Sequence, residues 1–184
     1  TLKALSKNKK IQNNFILAGD KNLYQDLISV NNLDLNLIEE DSDGEGVIFK
    51  HFPLKNNVSI GYPDVGNANY IIDILSHGAL GCLKKEFKGL ITGPINKELI
   101  NKSGFEFSGH TEFLADISNV KKVVMLLMNT KLKIALLTTH IPLSQVPAKI
   151  SKKNLEETIS IISDEFENTW KIKNPSICLL GLNP

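Results

Sequence analysis

Only two of the 184 residues are cysteines, Cys82 and Cys178, and neither belongs to a CxxC or CxxH pattern. That scarcity excludes a disulfide scaffold and a zinc–cysteine site. Both lie in apolar stretches, Leu80-Gly-Cys82-Leu83 and Ile177-Cys178-Leu179-Leu180, where a free buried thiol behaves as a small hydrophobe. A reducing compartment, the cytoplasm, is the expectation. No apolar run approaches the ~20 residues needed to cross a bilayer as a helix. The longest is Val123-Val-Met-Leu-Leu-Met128, so no membrane partner is expected. Charge of one sign is missing as well. Lys and Arg number 21 against 20 acidic residues, a net +1 that gives no global field for nucleic acid or an anionic surface. The runs Lys7-Asn-Lys9-Lys10 and Ser151-Lys152-Lys153 are too short to be binding tracts.

A Rossmann fingerprint is also absent. It needs G-x-G-x-x-G directly after a strand, so that the backbone can approach a pyrophosphate at a helix N-terminus. Phe15-Ile-Leu-Ala-Gly19-Asp20 starts correctly and continues Lys-Asn-Leu-Tyr, while Gly78-Ala-Leu-Gly81 falls inside a helical pattern. Both glycine groups read as structure.

What is present is ordinary globular composition, 42% apolar and 22% charged, with enough chain for one domain or one and a half. Leu2 to Ser6 reads as helix, Phe15 to Ala18 as a strand and Lys21 to Val30 as a helix. Leu35–Ile38 and Val47–Phe49 are short strand candidates around the turn-rich Asp41-Ser-Asp-Gly-Glu-Gly46. Pro53 to Gly66 is loop or edge. From Ala68 to Phe87, Ile71, Ile72, Leu75, Ala79, Cys82 and Leu83 recur at helical spacing along one stripe. Gly89–Gly93 reads as a strand ending in a Gly-Pro turn, and Ile95–Lys102 as a helix closed by Ser103-Gly104. Lys122–Met128 and Lys133–Thr138 form a candidate hairpin across Asn129-Thr130-Lys131. Ser151 is the expected cap of a helix carrying Leu155, Ile159, Ile162 and Phe166, and Ser176–Gly181 the last strand. The alternation predicts an α/β architecture with a mixed sheet. The chain opens on Thr1 without Met and closes soon after that last strand, so it is expected to be an internal piece lacking both ends.

Three segments are candidates for chemistry. Thr92-Gly-Pro-Ile-Asn-Lys97 lies at a helix start, where exposed N–H groups and Lys97 could hold an anion. Ser108-Gly-His110-Thr111-Glu-Phe-Leu114 sets an imidazole beside a hydroxyl after a glycine, able to donate to a substrate phosphate or hydroxyl. Leu136-Leu-Thr-Thr-His140-Ile-Pro142 puts a histidine past an apolar strand, where α/β folds build ligand sites. His140 is a metal-ligand candidate, although a catalytic zinc takes about three protein ligands. His51 and His77 read as structural or exposed.

The succession Leu90-Ile-Thr-Gly-Pro-Ile-Asn-Lys97, Phe107-Ser-Gly-His-Thr-Glu-Phe-Leu114, Ala135-Leu-Leu-Thr-Thr-His-Ile-Pro-Leu143 and Leu180-Gly-Leu-Asn-Pro184 resembles the 4-hydroxythreonine-4-phosphate dehydrogenase family of vitamin B6 biosynthesis. The resemblance runs over the whole chain and is weakest before Asn67. It implies a fold like that of isocitrate and isopropylmalate dehydrogenases: two α/β domains, the active site in the cleft between them, and a homodimer. The domains are expected at 1–104 and 105–184. It also implies NAD, or NADP, as cofactor and a divalent metal, zinc, magnesium or cobalt. His110 and Thr111 match the family's substrate-binding pair, and His140 matches the first of three metal-binding histidines. The other two have no counterpart here, so the piece alone is expected to be inactive. The implied reaction oxidises 4-phosphohydroxy-L-threonine and decarboxylates the product to 3-amino-2-oxopropyl phosphate, with Lys97 as an electrostatic helper. A sister 4-phosphothreonate dehydrogenase and a phosphate acyltransferase-like enzyme are the alternative activities.

Overall fold

A computed structural model describes residues 1–181. The chain forms two compact units, Thr1–Asn119 and Val120–Pro184.

The first unit begins with α1 (Leu2–Lys7) and a 3-10 helix over Lys9–Asn14. Then follow β1 (Ile16–Gly19), α2 (Lys21–Val30), β2 (Leu37–Ile38) and β3 (Val47–His51). These strands make a three-stranded parallel sheet in the order β1-β3-β2, with Ile16 opposite Ile48 and Leu37 opposite Val47. β3 is central because its apolar residues are the most deeply placed. Val47 is fully buried and Phe49 buried, and they pack with Leu5, Leu17 and Leu35. Asp20 ends β1 and starts α2. Its Oδ1 accepts the Leu23 N–H at 3.0 Å as a helix cap and its Oδ2 accepts the Leu54 N–H at 3.2 Å.

A second cluster in this unit is built on α3 (Ala68–Leu83), with α4 (Lys97–Lys102) and α5 (His110–Ile117). Ala68, Leu75, Ile100 and Phe107 are its buried members. Gly78 and Gly81 let the following loop lie directly on α3. An added Cβ at Gly78 would stand 2.5 Å from Leu90 Cδ1, and at Gly81 2.2 Å from the Phe87 ring. That close approach is the packing reason for glycine inside a helix. Phe105, Phe113 and Leu114 pack against this cluster, within the unit Thr1–Asn119.

The second unit holds the hairpin β4 (Met125–Met128) and β5 (Lys133–Leu136), then α6 (Val146–Lys149) and α7 (Lys152–Asn168). The strands are antiparallel, with Met125 opposite Leu136, and Asn129 closes the turn by accepting the Lys131 and Leu132 N–H groups. The Ser151 side chain caps α7 by accepting the Asn154 N–H at 3.1 Å, as expected. Lys122 Nζ bonds the Asn154 carbonyl at 2.7 Å and Oδ1 at 2.6 Å, tying the approach to β4 to the start of α7.

Four expectations are corrected. Gly89–Gly93 forms no strand: Ile91 is 76% exposed, and the segment passes over α3 instead of joining a ladder. Residues 176–181 form none either, since no described strand pairs with them and Leu180 is 85% exposed. Cys178 is accordingly exposed, not a core thiol. Parallel and antiparallel pairing occur in two separate sheets among the described residues, not in one mixed sheet. Leu182, Asn183 and Pro184 of the last motif lie outside the described residues.

Candidate functional site

The His110-Thr111 pair occupies the first two positions of α5. Gly109 precedes it as N-cap and offers no side chain, so no side chain caps the first-turn N–H groups. Glu112 completes that turn, and its Oε2 lies 2.9 Å from where a Cβ of residue 109 would stand, so glycine leaves the carboxylate room. A negative group there offsets the helix's positive end.

His110 is half-buried, and its Nε2 is buried without a hydrogen-bond partner. An imidazole nitrogen stripped of water and given no partner costs roughly 1–3 kcal/mol, a cost that a ligand group can remove. The ring makes a T-shaped pair with Phe107, with centroids 6.1 Å apart at 75°, and Phe107 in turn meets Phe113 at 5.6 Å. Phe107 is only 3% exposed, and its backbone is bonded in both directions by the Asn101 side chain. Asn101 was not legible as part of the site, because the one signal it carries is an asparagine near a helix end.

Lys97 is the first residue of α4 and is exposed, and Asn96 caps the helix by accepting the Leu99 N–H at 3.0 Å. The turn before it is coil-to-helix and not strand-to-helix. A six-residue helix offers little dipole, and Glu98 stands in its first turn, paired with Lys102. The anion cradle read from Thr92–Lys97 gains nothing from this geometry.

His140 lies in the second unit, exposed, in the loop after β5. Its φ of +55 puts a non-glycine residue in the left-handed region, a conformation that persists where its surroundings impose it. β5 belongs to an antiparallel hairpin, so the rule that ligands gather at the carboxyl ends of parallel strands does not apply to it. Among the described residues no three His, Cys, Asp or Glu side chains come together as a metal group. One exposed imidazole does not amount to a metal centre. His51 accepts the Lys21 N–H through Nδ1, and His77 lies between Phe52 and Phe87, both structural as expected. Among the described residues no helix is long and apolar enough to cross a membrane.

The fold and the site define an α/β chain with a parallel sheet and a histidine–threonine pair at a helix start. The family described as pyridoxal phosphate biosynthetic protein PdxA matches residues 10–184, and this chain belongs to it. The resemblance carried by the four motifs is borne out. A 4-hydroxythreonine-4-phosphate dehydrogenase of Vibrio parahaemolyticus is 34% identical over 176 residues, covering 92% of this chain and 53% of that protein. The protein of the same name from Yersinia pseudotuberculosis is 37% identical over the same shares. The crystal structure of a 4-hydroxythreonine-4-phosphate dehydrogenase from Burkholderia phymatum superimposes with a TM-score of 0.78. It is 20% identical and is matched over 90% of this chain and 52% of that one, a likeness of fold. The chain thus spans about half the length of the curated relatives it matches.

Proposed function

We propose that this chain supplies substrate-binding residues to an NAD- or NADP-dependent oxidation of 4-phosphohydroxy-L-threonine in pyridoxal phosphate biosynthesis. The relatives' shared name supports the reaction, and the buried, unpartnered Nε2 of His110 within the Ser108–Leu114 motif carries the assignment of residues. In this reaction the secondary alcohol loses a hydride and a proton. The β-keto acid so formed loses carbon dioxide and leaves 3-amino-2-oxopropyl phosphate.

The part assigned to this chain is binding and orientation. His110 engages a polar group of the substrate through Nε2, and Thr111, half-buried beside it, adds a hydroxyl that donates or accepts. Holding the substrate by two adjacent side chains on one helix turn fixes its orientation, which is where much of an enzyme's advantage over solution arises. His140 is read as one ligand of a divalent metal, zinc, magnesium or cobalt, with its left-handed backbone as support. On the same reading the fold is of the isocitrate and isopropylmalate dehydrogenase type, and the protein is a cytoplasmic homodimer.

Calorimetric titration with 4-phosphohydroxy-L-threonine tests the assignment. His110→Ala is expected to weaken binding about tenfold or more and Thr111→Val by a smaller factor, in line with losing one or two hydrogen bonds. Affinity unchanged by both substitutions refutes it.

A further inference from the structure

We infer that Asn101 is a positioning residue for His110: its carboxamide grips the backbone of Phe107 and through it sets the imidazole. The inference rests on the substrate-binding reading of His110 given above.

Asn101 lies near the end of α4, six positions before Phe107. The Phe107 N–H donates to its Oδ1 at 2.7 Å, and its Nδ2 donates to the Phe107 carbonyl at 3.2 Å. A carboxamide bonded both ways to one residue imitates a rung of a β ladder. It fixes the peptide's orientation as well as its position, which a single bond does not. The Asn101 carbonyl also accepts the Gly104 N–H at 3.1 Å, where the chain turns at φ +94. One residue therefore holds both ends of the loop that leads to Ser108, Gly109 and His110.

Phe107 transmits that restraint. Its side chain is packed with Ile100, Ala68 and Leu75, and its ring stands at 75° to the His110 imidazole with centroids 6.1 Å apart. Nε2 has no hydrogen-bond partner to orient the ring, and the Phe107 ring packs against it. Asparagine is suited to the place chemically. Aspartate would keep the acceptor for the Phe107 N–H but turn a carboxylate oxygen on the Phe107 carbonyl, and glutamine would add a methylene to a fitted reach.

The test uses the full chain, isotopically labelled, and reads the His110 imidazole carbon–proton signals together with 4-phosphohydroxy-L-threonine affinity by calorimetry. Asn101→Ala is expected to shift and broaden the His110 ring signals while the Ile100 methyl signals stay, and to weaken binding about tenfold. Asn101→Asp is expected to fall between the two and carries the test should the alanine variant not fold. In a His110→Ala background, Asn101→Ala should cost no further affinity, because a residue acting through His110 has nothing left to act on. Unaltered His110 ring signals in a folded variant, or the same loss of affinity with and without His110, overturns the inference. Failure of the underlying reading looks different: His110→Ala then leaves affinity intact while its ring signals in the Asn101 variants still move.

Discussion

Replacing Asp20 by alanine and by asparagine separates two bonds that one carboxylate makes. Oδ1 caps α2 through Leu23, and Oδ2 pins the Leu54 N–H at the loop leaving β3. Alanine removes both. A lost cap costs about 1 kcal/mol and a half-buried N–H deprived of its charged acceptor about 1.5–3, so roughly 2–4 kcal/mol in all. Asparagine keeps one acceptor and turns an NH₂ on the other N–H, a loss of roughly 1–2 kcal/mol. Burial pushes the Asp20 carboxyl up, but the Leu23 and Leu54 N–H bonds, with smaller help from His51 and the Asn22 N–H, together outweigh it and hold the group below its ordinary value of 3.8. A depressed folded value means that the carboxylate stabilises the fold above about pH 4, and that this contribution disappears as pH falls through the folded value. The gap between wild type and Asp20→Ala should therefore narrow from pH 7 to pH 3. Urea unfolding followed by tyrosine near-ultraviolet circular dichroism reports the right unit, since Tyr24, Tyr62 and Tyr70 all lie in Thr1–Asn119. A gap of unchanged size at pH 3, or alanine and asparagine variants of equal stability at pH 7, refutes the reasoning.

Ile100 is wholly buried in the α3–α4–α5 cluster, and Ile100→Ala should cost about 2–5 kcal/mol by the same tyrosine signal. Lys122→Met removes the two short bonds to Asn154 and should destabilise the second unit by about 1–3 kcal/mol, read as a lower urea midpoint in Trp170 fluorescence. A midpoint within error of wild type would show that those bonds contribute nothing net.

Helices were the more legible part of the fold. α2 runs over Lys21–Val30 and α7 begins behind Ser151, as apolar period and capping chemistry require, because both signals are local. Strand assignments at Gly89–Gly93 and Ser176–Gly181 failed for the complementary reason. An apolar run becomes a strand only when a neighbour completes its hydrogen bonds, and no residue within the run reveals whether one is there. Glycines 78 and 81 were rightly read as structure, but their purpose, the close approach of Leu90 and Phe87, belongs to packing.

The sequence by itself determined the family, through four motifs in order, and with it the candidates His110, Thr111 and His140. It also determined the absence of a dinucleotide fingerprint, since that depends on residue types at adjacent positions. Only the tertiary structure decided the condition of those candidates. It buried His110 Nε2 without a partner, set its ring against Phe107, tied Phe107 to Asn101, and left His140 exposed in a left-handed turn. Burial and hydrogen-bond satisfaction depend on groups that meet only when the chain has folded, so no pattern along the sequence could have stated them.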